Sequence, residues 1–274
     1  MAAAPSVGIL VSHRSAACLQ AAEVLQAECA RRGVPAQFLG KGLELDTASA
    51  PDILLCLGGD GTILRMAETA ARHGRIIGGV NMGHLGFLSA CGRDEIPHLA
   101  EALATRQYTV EPRAMLQVTR SGSEPQLSLN EVALMRAQTG KMIDVDVELD
   151  GELLNRYHAD GILVATPTGS TAYSLSAGGP LLWPTAGVMC LTPICPHSLT
   201  NRSVVLPEGV EITMRPRERR GRSGESLIYS LDGRATHPIA LNETLTICKS
   251  SLSLQLLSLP NSNYAARLRA KLGW

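Results

Sequence analysis

Neither sign of charge dominates this chain: its 274 residues carry 25 lysines and arginines against 25 aspartates and glutamates, a formal net charge of zero. A protein that holds nucleic acid or an acidic membrane through its overall field needs a basic surplus, so a polyanionic partner here requires a local patch. Neither nucleic acid nor a membrane is expected as a partner. No apolar run approaches the roughly 20 residues that cross a bilayer, and the alanine-rich start lacks the basic segment followed by a long apolar one that marks a secretory leader. The seven cysteines contain no C-x-x-C pair, are odd in number and mostly sit in apolar surroundings such as "ILLCLGG" and "VMCLTPIC". That usage favours reduced, buried thiols over disulfides or zinc, and a cytoplasmic compartment. Internal repeats and low-complexity tracts are missing too. The one clear charge run, "PRERRGRSGE" at 216 to 225, is expected to be a solvated hairpin tip.

What is present divides into two textures, and the length suits two modest domains. Early on, strand-like runs alternate with helical spacing. "SVGILVS" leads into Cys18, Ala22, Leu25 and Cys29 at helix period, stopped at Gly33; "PAQFLG" and "DILLCLGG" follow, the latter apolar enough for a strand covered on both faces. The helix "TILRMAETAARHG", closed by Gly74, precedes the strand "RIIGGVN", and a last helix runs from about Asp94 to Thr105. Strands separated by helices predict a Rossmann-like parallel α/β domain over residues 1–107, with ligands collecting at the carboxyl ends of its strands. Past Tyr108 come many short runs: "AMLQVTR", "LSLNEVALM", "IDVDVELDG", "GILVATP", "SVVLP", "VEITMRP", "SLIYSLDG", "TLTICKS" and "LSLQLLSLP". They predict a β-rich, sandwich-like domain over residues 108–261, with "DG" dipeptides at tight turns. The tail, residues 262–274, is expected to be a helix that folds back on the first domain.

The stretch "LLCLGGDGTILR", residues 54 to 65, sets three glycines and an aspartate between a strand and a helix. Gly58, Gly59 and Gly61 permit positive φ and close approach of a ligand, and the helix adds its positive end, so these glycines with Thr62 form a candidate phosphate cradle. No G-K-[ST] follows, so this is not a P-loop. Asp60 would repel phosphate unless a cation intervenes or it faces something neutral. A sugar hydroxyl suits it, because a carboxylate can orient an attacking hydroxyl and accept its proton during phosphoryl transfer. By itself the turn is equally compatible with an Asp-Gly turn whose carboxylate caps the helix.

"GGDGT", "NMGHLGFLS", "LNEVAL", "ADGILVATPTGSTAYSLSAGGP" and "SLDGR" occur in that order over most of the chain. Together they resemble the NAD kinase family, whose members transfer a phosphoryl group from ATP, or in some cases polyphosphate, to the adenosine 2′-hydroxyl of NAD. "GGDGT" is shared with diacylglycerol, sphingosine and phosphofructo-kinases; the long "TPTGSTAYSLSAGGP" segment is the specific one. The resemblance implies an α/β domain, a β-rich domain and NAD held between them, with Asp60 as catalytic base and Gly61 beside it at the dinucleotide. Arg65, one helical turn past Gly61, would reach a phosphate or else form a surface salt bridge. Asn130 and Glu131 match the family's Asn-Glu pair at the nucleoside, and Asp160 an acidic position used at a ribose.

In the specific segment the resemblance makes Thr171, Ala172, Tyr173, Ser174 and Ser176 dinucleotide contacts, where small residues and uncharged hydroxyls suit an anionic ligand. Without it, the same residues describe a Ser/Thr loop entering a helix capped by Thr168 or Ser170. Lys141 and His158 fall where the family varies among basic and polar side chains, and Arg234 stands where glutamine is common. Phe87 either packs on the adenine or belongs to the core. A divalent cation, Mg²⁺ or Mn²⁺, is implied by the chemistry and the resemblance together. No self-contained cage appears, but magnesium sites commonly use one or two carboxylates plus substrate phosphates. The resemblance also implies a homodimer or homotetramer. Two other readings are a lipid or sphingoid-base kinase of the same superfamily and a non-catalytic NADP-sensing module.

Overall fold

The computed structural model describes residues 4–11, 16–40, 50–83, 86–137, 142–198, 200–217, 227–241, 243–260 and 262–274. The chain forms two compact units, one of Met1–Pro112 with Leu254–Trp274 and one of Arg113–Ser253.

The first unit is α/β. Its elements are β1 (Val7–Val11), α1 (Ala16–Arg31), β2 (Ala36–Gly40), β3 (Ile53–Gly58), α2 (Asp60–Arg72), β4 (Ile76–Asn81), β5 (Ser89–Gly92) and α3 (Ile96–Thr105). The strands run parallel in the order β2, β1, β3, β4. β4 shares its far edge between β5, at Gly79 to Asn81, and a late strand that meets it at Ile76 and Ile77 through Gln255 and Leu256. Helices cover both faces, which is why β3 is buried along its whole length. Ile53, Leu55 and Leu57 face α1 and α3 in one cluster with Leu25, Leu99 and Leu103. Leu54 and Cys56 alternate to the opposite face. β4 affords α2 a close approach through Gly79, where a Cβ would lie 2.6 Å from Ile63 Cδ1.

The second unit is antiparallel and two-layered. Along the chain come β6 (Thr109–Arg120), β7 (Gln126–Ser128), β8 (Glu131–Arg136), β9 (Ile143–Leu149), β10 (Glu152–Ala159) and β11 (Gly161–Ala165). A short helix α4 (Tyr173–Ser176) then precedes β12 (Val188–Ile194), β13 (Val204–Pro207), β14 (Ile212–Arg217), β15 (Leu227–Leu231), β16 (Ala235–Ile239) and β17 (Leu245–Ser258). β17 carries the chain back into the first unit, where α5 (Tyr264–Leu272) ends it. One layer is ordered β13, β12, β11, β8, β15, β16. The other pairs β10, β9, β14 and the start of β17. Val132, Leu134, Ile162, Val164 and Leu191 from the first meet Val145, Val147, Ile212, Met214 and Ile247 from the second. This is sandwich packing.

The α/β and β-rich expectations hold, and the departures are local. α2 begins at Asp60 rather than Thr62. "TLTICKS" and "LSLQLLSLP" are one strand, β17, which continues through the polar pair Ser250 and Ser251. β10 escaped notice because Glu152 to Asn155 are mostly exposed and do not alternate; it pairs with β9 across the Asp150-Gly151 turn, both residues at positive φ. β16 is short, exposed and carries Pro238, an edge-strand composition that gives little strand signal. Most of the 216 to 225 charge run, and Lys141, lie outside the described residues.

Candidate functional site

At the end of β3, Gly58 has a φ of +154°, a conformation that favours glycine. Gly59, at φ −90°, is the N-cap of α2, and Gly61 lies in its first helical turn, so positive φ is not what either requires. What they share is open space: a Cβ at Gly59 or Gly61 would meet nothing within 4 Å. The bare backbone leaves the first amides of α2 approachable by an anion. Thr62 does not join the cradle, because it is buried and its N–H donates to the Gly59 carbonyl at 2.9 Å. It closes the turn from inside. Arg65 is exposed on the next turn.

Asp60 does not cap its own helix. Its Oδ2 accepts from the Phe87 N–H at 2.7 Å, its Oδ1 from the Leu88 N–H at 3.2 Å, and Ser89 Oγ lies 3.4 Å from Oδ1. An ionised carboxylate has about four acceptor sites, so these bonds fix its direction and leave capacity for a further donor. Gly86 is pressed against it, since a Cβ there would lie 1.9 Å from Oδ1. Gly86→Ala must therefore displace the carboxylate, and we expect turnover to fall on the order of 10²-fold, as for a misplacement of about 1 Å at a reacting centre. Steady-state kinetics beside a circular dichroism spectrum check this; wild-type kcat in the variant contradicts it. The Phe87 ring is 6.2 Å from that of Tyr264 on α5, tilted by 50°. That contact gives Phe87 a packing role within the first unit.

In the second unit the organiser is Asp232, which sits at φ +52° ahead of Gly233 in the turn between β15 and β16. Its side chain accepts from Ser128 Oγ at 2.6 Å, the Leu129 N–H at 3.2 Å and the Asn130 N–H at 2.7 Å. These bonds break "LSLNEVALM" into two strands, β7 and β8, where one was expected. The Asn130 carbonyl accepts from the Thr166 N–H, and Thr166 Oγ1 both donates to the Leu129 carbonyl and accepts from the Gly169 N–H. Gly169 packs so closely that a Cβ would lie 2.1 Å from the Asn130 carbonyl oxygen. Asn130 and Glu131 are thus locked from two sides. Sequence reasoning passed over Asp232, although the "SLDGR" turn contained it.

Glu131 is buried, receives the Tyr173 N–H, and leaves its Oε2 without a hydrogen-bond partner. Burial pushes its carboxyl up to about 8, with the charge of Asp232 adding to the shift and the Tyr173 N–H opposing it. The sign of the stability effect follows. From the ordinary carboxyl range up to about pH 8 the folded chain keeps a proton that the unfolded chain releases, so stability falls as pH rises. We expect a loss of about 2–4 kcal/mol between pH 5 and 8, largely abolished in Glu131→Gln. Denaturant melts at both pH values measure it; an equal loss in the variant contradicts the assignment. Thr168 Oγ1 on the same wall is likewise buried without a partner.

Along the specific segment, a 3₁₀ turn spans Thr168–Thr171 ahead of α4. Ser170 turns inward: its Oγ donates to the Pro167 carbonyl and accepts from the Leu182 N–H. Thr171 and Ala172 are half-buried, and Tyr173 and Ser176 are exposed. Ser174 differs from the expectation. It is fully buried with its hydroxyl 3.5 Å from Thr192 Oγ1, so its side chain serves the fold rather than a ligand wall. Asp160 is paired with Arg136 at 2.8 Å. His158 Nδ1 lies 2.6 Å from Asp144, and its ring 5.6 Å from that of His197. Arg234 makes a long 3.4 Å contact with Asp232 and is otherwise exposed.

Among the described residues no group of three His, Cys, Asp or Glu side chains could hold a metal ion, and no helix is long and apolar enough to cross a membrane. All seven cysteines are free. Burial raises the thiols of Cys56 and Cys91 to about 12 and that of Cys29 to about 11, which keeps them protonated and unreactive.

Two family models match: the ATP-NAD kinase N-terminal domain over residues 11–108 and the ATP-NAD kinase C-terminal domain over 129–259. An NAD kinase of Aromatoleum aromaticum is 41% identical over 249 residues, covering 88% of this chain and 80% of that protein. One of Gemmatimonas aurantiaca is 38% identical over 240 residues, covering 86% and 81%. The fold is similar to that of an NAD kinase from Archaeoglobus fulgidus in complex with ATP, with a TM-score of 0.79 at 25% identity over 98% of each chain. It is also similar to yeast NADH kinase complexed with NADH, with a TM-score of 0.88 at 22% identity, covering 99% of this chain and 88% of that one.

Proposed function

This chain belongs to the NAD kinase family, and from that premise we propose that it transfers the γ-phosphoryl group of ATP to the adenosine ribose 2′-hydroxyl of NAD, with Asp60 as the base. It is a phosphotransferase that acts on NAD. The observation that carries the assignment of the base is the direction of Asp60: two loop amides hold its carboxylate away from its own helix terminus. In the transfer, the 2′-oxygen forms a bond to the γ-phosphorus while its proton passes to Asp60. The bond to the β–γ bridging oxygen breaks, and ADP leaves. A loose transition state asks mainly for positioning and charge neutralisation. Arg65 and the amides at Gly59 and Gly61 would serve the donor phosphates.

Asn130, Glu131 and Asp160 would hold the adenosine, with Thr171, Ala172, Tyr173 and Ser176 along the dinucleotide and His158, Arg234 and Lys141 as basic or polar contacts. A protonated Glu131 adds a donor at an oxygen that has no partner within the fold, which suits a nucleoside acceptor atom. Mg²⁺ or Mn²⁺ supplies charge neutralisation at the donor phosphates when bound. No cage of side chains stands among the described residues, so the cation would be carried mostly by donor phosphate and water oxygens. We further place the protein in the cytoplasm, where its free thiols stay reduced. A homodimer or homotetramer is proposed as well, because β13 and β16 end the six-stranded layer as edges that gain from pairing.

One coupled assay tests the reading: purified protein with ATP, Mg²⁺ and NAD, scored for NADP, beside diacylglycerol and sphingosine as acceptors. NADP formation without lipid phosphorylation is the expected result. Tight NADP binding with no turnover of NAD would establish the sensing module and overturn the kinase.

A further inference from the structure

We propose that Arg267 on α5 is a positioning residue for Asp60, acting through the peptide plane between Phe87 and Leu88; this rests on Asp60 being the base. Asp60 depends for its direction on a segment 27 residues further along the chain. That segment is itself gripped from the far end of the sequence. Arg267 is only 9% exposed, and its Nη1 donates to the Phe87 carbonyl at 2.9 Å while its Nη2 donates to Ser262 Oγ at 2.6 Å. The Phe87 carbonyl and the Leu88 N–H belong to one peptide group, which is planar and trans, so they point in opposite directions. Holding the carbonyl on one side therefore aims the N–H at Asp60 Oδ1 on the other. A guanidinium on the carbonyl also polarises the amide and strengthens its bond to the carboxylate.

The helix that carries Arg267 is anchored for this task. Asn263 caps it by accepting from the Ala266 N–H at 3.1 Å. Tyr264, three residues before Arg267 and so on the same helical face, meets the Phe87 ring. α5 thus holds Phe87 by ring and by carbonyl. A cavity of about 370 Å³ beside α5 is lined by Cys91, Glu95, His98, Ser262 and Asn263 as well as Arg267.

The test is a double-mutant cycle on the full chain, with kcat and KM for NAD and ATP measured for Arg267→Gln, Arg267→Lys, Asp60→Asn and the double variant Asp60→Asn with Arg267→Gln. Arg267→Gln should lower kcat about 10- to 100-fold with KM for NAD changed less than about threefold, and Arg267→Lys, which keeps a cationic donor, should recover part of the loss. The double variant should be no slower than Asp60→Asn alone, since there is then no base left to aim. Amide exchange at Leu88 should quicken in Arg267→Gln even where the melting temperature is close to wild type. If Asp60→Asn is crippled while Arg267→Gln keeps wild-type kcat, or if the two losses multiply, the positioning role is overturned and the base assignment stands. A wild-type rate in Asp60→Asn overturns the base itself.

Discussion

Asp60→Asn should lower kcat about 10³-fold while leaving KM for NAD within a few-fold of wild type. Positioned general bases contribute roughly 10²–10⁴, and a factor of 10³ corresponds to about 4 kcal/mol of barrier. The amide is nearly isosteric, so shape is conserved and chemistry is what changes. Asparagine offers no basic oxygen to the 2′-hydroxyl. It also presents one oxygen and one NH₂ to two donors, the Phe87 and Leu88 amides, so one of them loses its acceptor at a cost of about 1–3 kcal/mol. A modest fall in melting temperature should therefore accompany the large fall in kcat. Steady-state kinetics with NADP as the readout decide the matter. A loss confined to KM would mean that Asp60 binds substrate without taking its proton.

The second large effect is expected far along the chain. Asp232→Ala removes the acceptor for Ser128 Oγ and for the Leu129 and Asn130 amides, all of them buried. Orphaned buried donors cost about 1–3 kcal/mol each, and with partial relaxation we expect a loss of about 3–5 kcal/mol. For a domain of this size that is a fall in melting temperature of about 10 °C. Asp232→Asn, which retains one acceptor, should lose less. KM for NAD should rise in Asp232→Ala, because the Asn130–Glu131 segment loses one of the two supports that fix it. The charge of Asp232 also helps to raise the Glu131 carboxyl, so the fall in stability between pH 5 and 8 should shrink in the same variant. Unchanged melting and unchanged KM together would show that the turn is not the organiser described here.

How much of this was legible in the residues depended on the range of the interaction. The parallel half was plain because its determinants are local: continuous apolarity in "DILLCLGG", helical period around Leu25, and a stop at Gly74 with φ +61°. The match of Asp60 and of the Asn130–Glu131 pair to family positions rests on a long ordered set of motifs. The support of those residues was not legible. Neither the amides of Phe87 and Leu88 nor the carbonyl of Phe87 leaves a trace in side-chain type, so the contacts to Asp60 and Arg267 carry no signature in the sequence. Asp232 looked like one more Asp-Gly turn, and only the fold brings it against Asn130. Burial of Ser174 and Thr62 inverted their apparent roles for the same reason: a hydroxyl in a loop-like stretch looks available until the packing around it is known. Nor does spacing separate, among the three glycines of the turn, the one needed for its φ from those needed for bare backbone.

The most direct test of the account is a crystal structure of the protein with NAD bound, refined well enough to place the adenosine ribose. The 2′-oxygen should lie within about 2.6–3.2 Å of an Asp60 carboxylate oxygen, with the Phe87 and Leu88 amides still donating to that carboxylate. A ribose whose 2′-hydroxyl is met by another side chain, with Asp60 out of reach, would contradict it.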